Sequence, residues 1–202
     1  MHRVEIAKYF DATEHREIRD DLVFAVNNTA EPKIAIDCGC GAGADIHYLV
    51  QNGFTVYGFD IEPESISRCQ SRFQGVDQVQ LSQSSFSTFD YPRASLVVAD
   101  ASLFFCPTTD FERVWENICQ CLYPRGLFCG SFLGREDTMA RPGHNPSVYW
   151  PSVTSFNESE VRSLFKSFDL LSFKVHQSTG ETAQGLAHRW HIFQVIAKKL
   201  DT

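Results

Sequence analysis

Lys33-Ile34-Ala35-Ile36-Asp37-Cys38-Gly39-Cys40-Gly41-Ala42-Gly43 is the stretch on which the reading of this chain turns. A short apolar run ends in a carboxylate and opens at once into a glycine turn, the pattern of a buried strand that delivers an acid to the lip of a sheet. Roughly twenty residues further on, a second run, Phe54 to Phe59, delivers Asp60 to the same edge. Two acids and bare backbone at one sheet edge suit a nucleoside cofactor.

Outward from this stretch the elements alternate. The pattern predicts strands over Lys33 to Asp37, Thr55 to Asp60, Gln78 to Ser82, Ala94 to Asp100 and Gly126 to Leu133. Helices are predicted over Ala44 to Asn52, Pro63 to Phe73 and Asp110 to Leu122. Runs such as Leu96-Val97-Val98-Ala99 lack polar alternation, as strands covered on both faces do. The fold class expected is α/β, a doubly wound parallel sheet with helices on both faces. Upstream, Ile18, Leu22 and Val26 mark an amphipathic helix over Thr13 to Asn27, with Thr13 as its cap, inside an N-terminal helical segment 1–30. Downstream, residues 134–156 break into a charged, proline-bearing loop, Pro142-Gly143-His144-Asn145-Pro146 included, expected to be a lid that offers Arg141 and His144 to a substrate. A helix follows over Asn157 to Phe165. Two strand-like runs, Leu170 to Val175 and Trp190 to Ala197, then flank a polar loop of about a dozen residues and are too close to be anything but antiparallel neighbours. The last strand then starts at the edge that carries the glycine turn.

The 202 residues, 43% of them hydrophobic, fit a single domain over 1–202. A net charge of -7 without a basic run excludes nucleic acid and anionic membrane surfaces as expected partners and leaves small molecules. Met1 to Phe10 is charged throughout, with no apolar core for export, so a cytoplasmic location is expected. Seven cysteines without paired spacing read as free thiols, and no metal is expected.

The third glycine comes one position earlier than in Gly-x-Gly-x-x-Gly, and Asp37 ahead of the turn would repel a pyrophosphate but not an ammonium or a sulfonium. With Asp60, the run Ile36 to Gly43 resembles the cofactor site of the class I S-adenosylmethionine-dependent methyltransferases. The resemblance implies S-adenosyl-L-methionine as cofactor and S-adenosyl-L-homocysteine as product, on a Rossmann-like seven-stranded sheet with its last strand antiparallel. It implies that Asp37 holds the methionine end, that the backbone of Gly39, Cys40, Gly41 and Gly43 lies along methionine and ribose, and that Asp60, beside Ile61, accepts the ribose hydroxyls. Ser84, Ser85 and Phe86 would line the adenine, and Asp100, Ala101 and Ser102 would floor the transfer site. Where the family has Pro-Gly-Gly before its fifth strand, this chain has Pro124-Arg125-Gly126, with a cost in backbone strain. Ser102 to Pro107, Phe132 to Asp137 and His188 to Phe193 together are similar to the branch of tellurite-resistance methyltransferases, which implies small soft acceptors such as thiols and chalcogen oxyanions.

Such anions need no base, so an electropositive wall would serve them, and Arg189, His191 and His188 are its candidates. Asp100 is the candidate for orienting the methionine end or taking a proton. Strand alternation sets Trp190 and Ile192 on one face and His191 and Phe193 on the other. Tyr9 and Phe10 suit a flap over the cofactor or a staple for the first helix. Two further functions compete with methyl transfer: an NAD-dependent oxidoreductase, which would use Asp60 on an adenosine ribose, and a non-catalytic S-adenosylmethionine-binding module.

Overall fold

The computed structural model describes residues 2–141, 153–181 and 186–201. Its helices are α1 (His2–Thr13), α2 (Asp20–Asn28), α3 (Ala44–Gln51), α4 (Pro63–Arg72), α5 (Thr108–Cys121) and α6 (Glu158–Leu164). The strands are β1 (Ile34–Cys38), β2 (Thr55–Asp60), β3 (Val79–Gln83), β4 (Ala94–Ala99), β5 (Leu122–Gly134), β6 (Ser155–Phe156), β7 (Phe168–Glu181) and β8 (Ala187–Lys199).

The sheet runs β3-β2-β1-β4-β5-β8-β7, with the two-residue β6 added beside the end of β5. All pairs from β3 to β5 are parallel, and β8 is antiparallel to both β5 and β7. The doubly wound sheet with a reversed last strand is therefore present, and β6 is an addition to the seven strands expected. Strand alternation divides the core into two layers. Val97 and Ala99 join Trp115, Ile118 and Phe165 from α5 and α6, while Leu96 and Val98 join Leu22, Ile46, Leu49 and Ile66 from α2, α3 and α4.

Three expectations are corrected. Thr13 does not open a helix over Thr13 to Asn27. Its hydroxyl donates to the Tyr9 carbonyl at 2.9 Å and closes α1, and the chain turns before α2 starts at Asp20. The closing hairpin is longer than predicted: β7 reaches Glu181 and β8 starts at Ala187, leaving far less than a dozen residues between them. The loop expected over 134–156 is partly regular, since Gly134 ends β5, Asp137 caps a 3₁₀ turn over Thr138–Ala140, and Ser155–Phe156 pair with β5. His144, with Pro142, Gly143, Asn145 and Pro146, lies outside the described residues; Arg141 is described and exposed. Asn157 caps α6 in a reciprocal box with Glu160, and Arg125 sits at φ 64, the left-handed conformation that Gly would have taken without strain. Among the described residues no helix is long and apolar enough to cross a membrane.

Candidate functional site

The parallel strands β1, β2 and β4 end at one edge, and the turn after β1 is folded onto it by its backbone. The N–H groups of Gly39 and Cys40 both donate to the Phe59 carbonyl, at 2.8 and 2.9 Å. Gly39 has φ 74, and a Cβ there would stand 2.7 Å from the Cβ of Ser102, whose hydroxyl donates to the Cys38 carbonyl at 2.6 Å. This position needs glycine for conformation and space alike. Gly41 (φ 52) donates its N–H to Asp60 Oδ2 at 2.9 Å, while Asp60 Oδ1 accepts from the Glu62 N–H at 2.9 Å. Asp60 thus braces the turn and keeps lone pairs for other donors.

These elements border a cavity of about 860 Å³. Asp37, Gly39, Cys40, Gly41, Asp60, Ile61, Ser84, Ser85, Phe86, Asp100, Ala101 and Ser102 all line it. Of the residues expected at the cofactor, Gly43 does not. A Cβ on it would meet the Phe73 ring at 2.8 Å and Cys69 Sγ at 2.9 Å, so this glycine lets α4 pack close under the turn. Ile6, Tyr9, Phe10 and Thr13 of α1 form a further wall.

One end of the cavity holds a charged cluster that the sequence did not announce. Asp45, at the start of α3, accepts from Arg16 Nη2 on both oxygens at 3.1 Å and from Arg19 Nη1 at 3.0 Å. Arg19 Nη1 also lies 2.9 Å from Asp100 Oδ2, with Arg16 Nη1 at 3.7 Å. The Asp100 carboxylate is therefore held beside two guanidiniums. Beside it Asp37 is 4% exposed and its Oδ2 has no hydrogen-bond partner. Burial, reinforced by Asp45, pushes the Asp37 carboxyl well above the ordinary carboxylate range, against the pull of Arg16 and Arg19.

Of the three residues expected to form a positive wall, His188 lines the cavity and the other two do not. Arg189 pairs with Glu136, and His191 is buried with its ring against Gly134, where a Cβ would approach within 2.3 Å. The Glu136 N–H donates to His191 Nδ1 at 3.3 Å. Neither residue lines the cavity; alternation along β8 turns Trp190, Ile192 and His188 into it instead. With Phe104, Phe105, Pro107, Leu133 and Met139 these make an aromatic and aliphatic chamber continuous with the acid-lined rim.

Residues 35–126, a little under half of the chain, match the family model described as a methyltransferase domain, and the fold is the one found in solved S-adenosylmethionine-dependent methyltransferases. Among solved structures, TehB from Haemophilus influenzae is similar at a TM-score of 0.76 and 16% identity, over 96% of this chain and 67% of that one. The 1,6-didemethyltoxoflavin-N1-methyltransferase of Burkholderia thailandensis, holding 1,6-didemethyltoxoflavin and S-adenosylhomocysteine, superposes at 0.68 with 18% identity, over 99% of this chain and 84% of that one. The N-methyltransferase NodS from Bradyrhizobium japonicum, in complex with S-adenosylhomocysteine, does so at 0.64 with 14% identity, over 96% and 98%. No curated protein matches by sequence. The residues present are chemically suited to an adenosyl cofactor with a cationic amine: Asp37, whose buried Oδ2 has no partner, lines the cavity, and left-handed glycines lie beside it.

Proposed function

We propose that this chain moves the methyl group of S-adenosylmethionine to a small-molecule acceptor held in the aromatic chamber. The observation that carries the reading is the continuity of the cavity from Asp37 and Asp60 at one end to Phe104, Met139 and Trp190 at the other, with a volume at the upper end of ordinary ligand pockets, roughly 300 to 1,000 Å³. The cofactor supplies a methyl carbon activated by a sulfonium, so the protein has to align, shield and neutralise. In this reading Asp37 takes the ammonium of the methionine end. Asp60 takes the ribose hydroxyls, Ile61 and Ser84 to Phe86 border the adenine, and Ala101 and Ser102 floor the transfer site. The N-terminal segment, through Tyr9 and Phe10, closes that end.

A chalcogen oxyanion or thiolate is less well served than a molecule with an apolar body. Among the described residues the one guanidinium lining the cavity, Arg16, is taken up by Asp45 and Asp100.

Differential scanning fluorimetry with S-adenosylhomocysteine and with NAD tests the cofactor assignment. A rise in melting temperature with the first alone is expected, and a rise with NAD alone refutes it in favour of an oxidoreductase. Release of S-adenosylhomocysteine on adding acceptors separates an enzyme from a binding module.

A further inference from the structure

We propose that His188 is the general base of the transfer, positioned by Asp137, and that the acceptor presents a weakly acidic N–H or O–H on a small, largely apolar body. This deepens the methyltransferase reading above and rests on it.

His188 Nε2 lies 3.2 Å from Asp137 Oδ1. Asp137 is 1% exposed, and it also accepts from the Met139 N–H on Oδ1 and from the His191 N–H on Oδ2, each at 2.9 Å. Three converging donors fix this carboxylate, and because an ionised carboxylate can only accept, the ring proton of His188 belongs on Nε2. Nδ1 then carries the ring's lone pair, on a residue that lines the cavity. The imidazole is steadied by Trp190, whose ring centroid is 4.7 Å away at 41° and which lines the same chamber. A buried carboxylate behind one ring nitrogen of a histidine that lines a cavity is the arrangement in which histidine takes a proton and its partner stabilises the imidazolium.

The step balances. The acceptor's lone pair forms the new bond to the methyl carbon as the carbon–sulfur bond gives its pair to sulfur, leaving neutral S-adenosylhomocysteine. The acceptor's proton passes to His188 Nδ1, and the resulting imidazolium keeps its Nε2–H on Asp137 until water removes the proton. Around His188 the charged groups are Asp137 and the Glu136–Arg189 pair beside it, and Glu181 on β7 opposite Ala187. Across the cavity stand Asp100 with its arginines and Asp110, bonded to Ser87.

The test has two arms, both run on protein shown to bind S-adenosylhomocysteine. Long-range proton–nitrogen NMR, with the His188 signals assigned through His188→Gln, is expected to show the Nε2–H tautomer. An Nδ1–H tautomer, or an imidazolium persisting to alkaline pH, overturns the proposal. In the kinetic arm, S-adenosylhomocysteine release is followed with phenol, catechol, indole and benzimidazole as N–H and O–H probes, and with thiophenolate, selenite and tellurite as anions. The wild type is expected to turn over at least one of the first group, with a rate that rises with pH. His188→Gln is expected to lose about 10²- to 10⁴-fold in kcat, with unchanged affinity for S-adenosylhomocysteine. Asp137→Asn, where it folds, is expected to lose part of this. Turnover confined to the anions, wild-type rates in His188→Gln, or silence with every probe overturns the inference while leaving the methyltransferase reading in place. Failure to bind S-adenosylhomocysteine at all is the separate result that removes that reading.

Discussion

Replacing Asp37 by Asn should move the empty and the cofactor-bound protein in opposite directions. In the empty protein the carboxyl is buried, its Oδ2 is unpartnered and burial holds its pKa above the ordinary value. A folded-state pKa above the unfolded one means that the fold binds this proton more tightly than the unfolded chain does. The stability it confers is complete below the unfolded value of about 3.9 and is lost as pH rises through the folded value. Each unit of elevation costs the fold about 1.4 kcal/mol once the group is ionised. In a chain of this size each kcal/mol recovered by Asn is worth about 2 to 4 °C of melting temperature. The bound protein should lose instead, since a charge-assisted bond to the methionine ammonium is worth about 1.5 to 3 kcal/mol, or roughly ten- to a hundredfold in Kd. Scanning fluorimetry from pH 5 to 8, with and without S-adenosylhomocysteine, reads both effects. The wild type alone should show empty-state stability falling with pH relative to Asp37→Asn, and the variant should gain less from ligand. A variant less stable than wild type at every pH, with unchanged ligand affinity, would refute the reasoning.

Asp60→Ala removes the acceptor of the Gly41 and Glu62 N–H groups as well as the proposed ribose contact. Titration calorimetry should show about ten- to a hundredfold weaker S-adenosylhomocysteine binding, and wild-type affinity would exclude the contact. Gly134→Ala drives a methyl into the His191 ring, and chemical denaturation should show a loss of about 1 to 3 kcal/mol; because His191 faces away from the cavity, cofactor affinity should not change. Arg125→Gly relieves the left-handed backbone at φ 64 and gives up only an exposed contact to Asp201, so the midpoint should rise by about 0.5 to 1 kcal/mol equivalent.

What the sequence made legible was local. The apolar run before Asp37, the glycines after it and the repeat of that pattern at Asp60 carry their own signature, and the alternation of strands and helices marked a doubly wound parallel sheet around them. That Gly43 stands off the cavity was not legible, because spacing alone does not separate a glycine at a cavity from one that lets Phe73 and Cys69 approach. Arg16 and Arg19 meet an acid nearly thirty residues away, and such a pairing leaves no periodicity to detect. The extension of the last hairpin through His176 to Glu181 is largely exposed and has no apolar alternation to mark it as a strand. For β8, alternation told which side chains share a face. Which face meets the cavity depends on the register that sets Ile192 opposite Leu133, and that is a property of the assembled sheet.

Running the final strand backwards brings residues from far along the chain, Trp190 and Ile192, to the rim built by β1 and β2. In the proposed reading, the end that grips the donor and the chamber beside it are thereby encoded in separate segments, one in the first half of the sequence and the other largely in the second. Exchange of a few hairpin side chains can then retune which molecule is admitted while the machinery that grips the donor stays untouched, a division of labour that lets one scaffold diversify without being rebuilt.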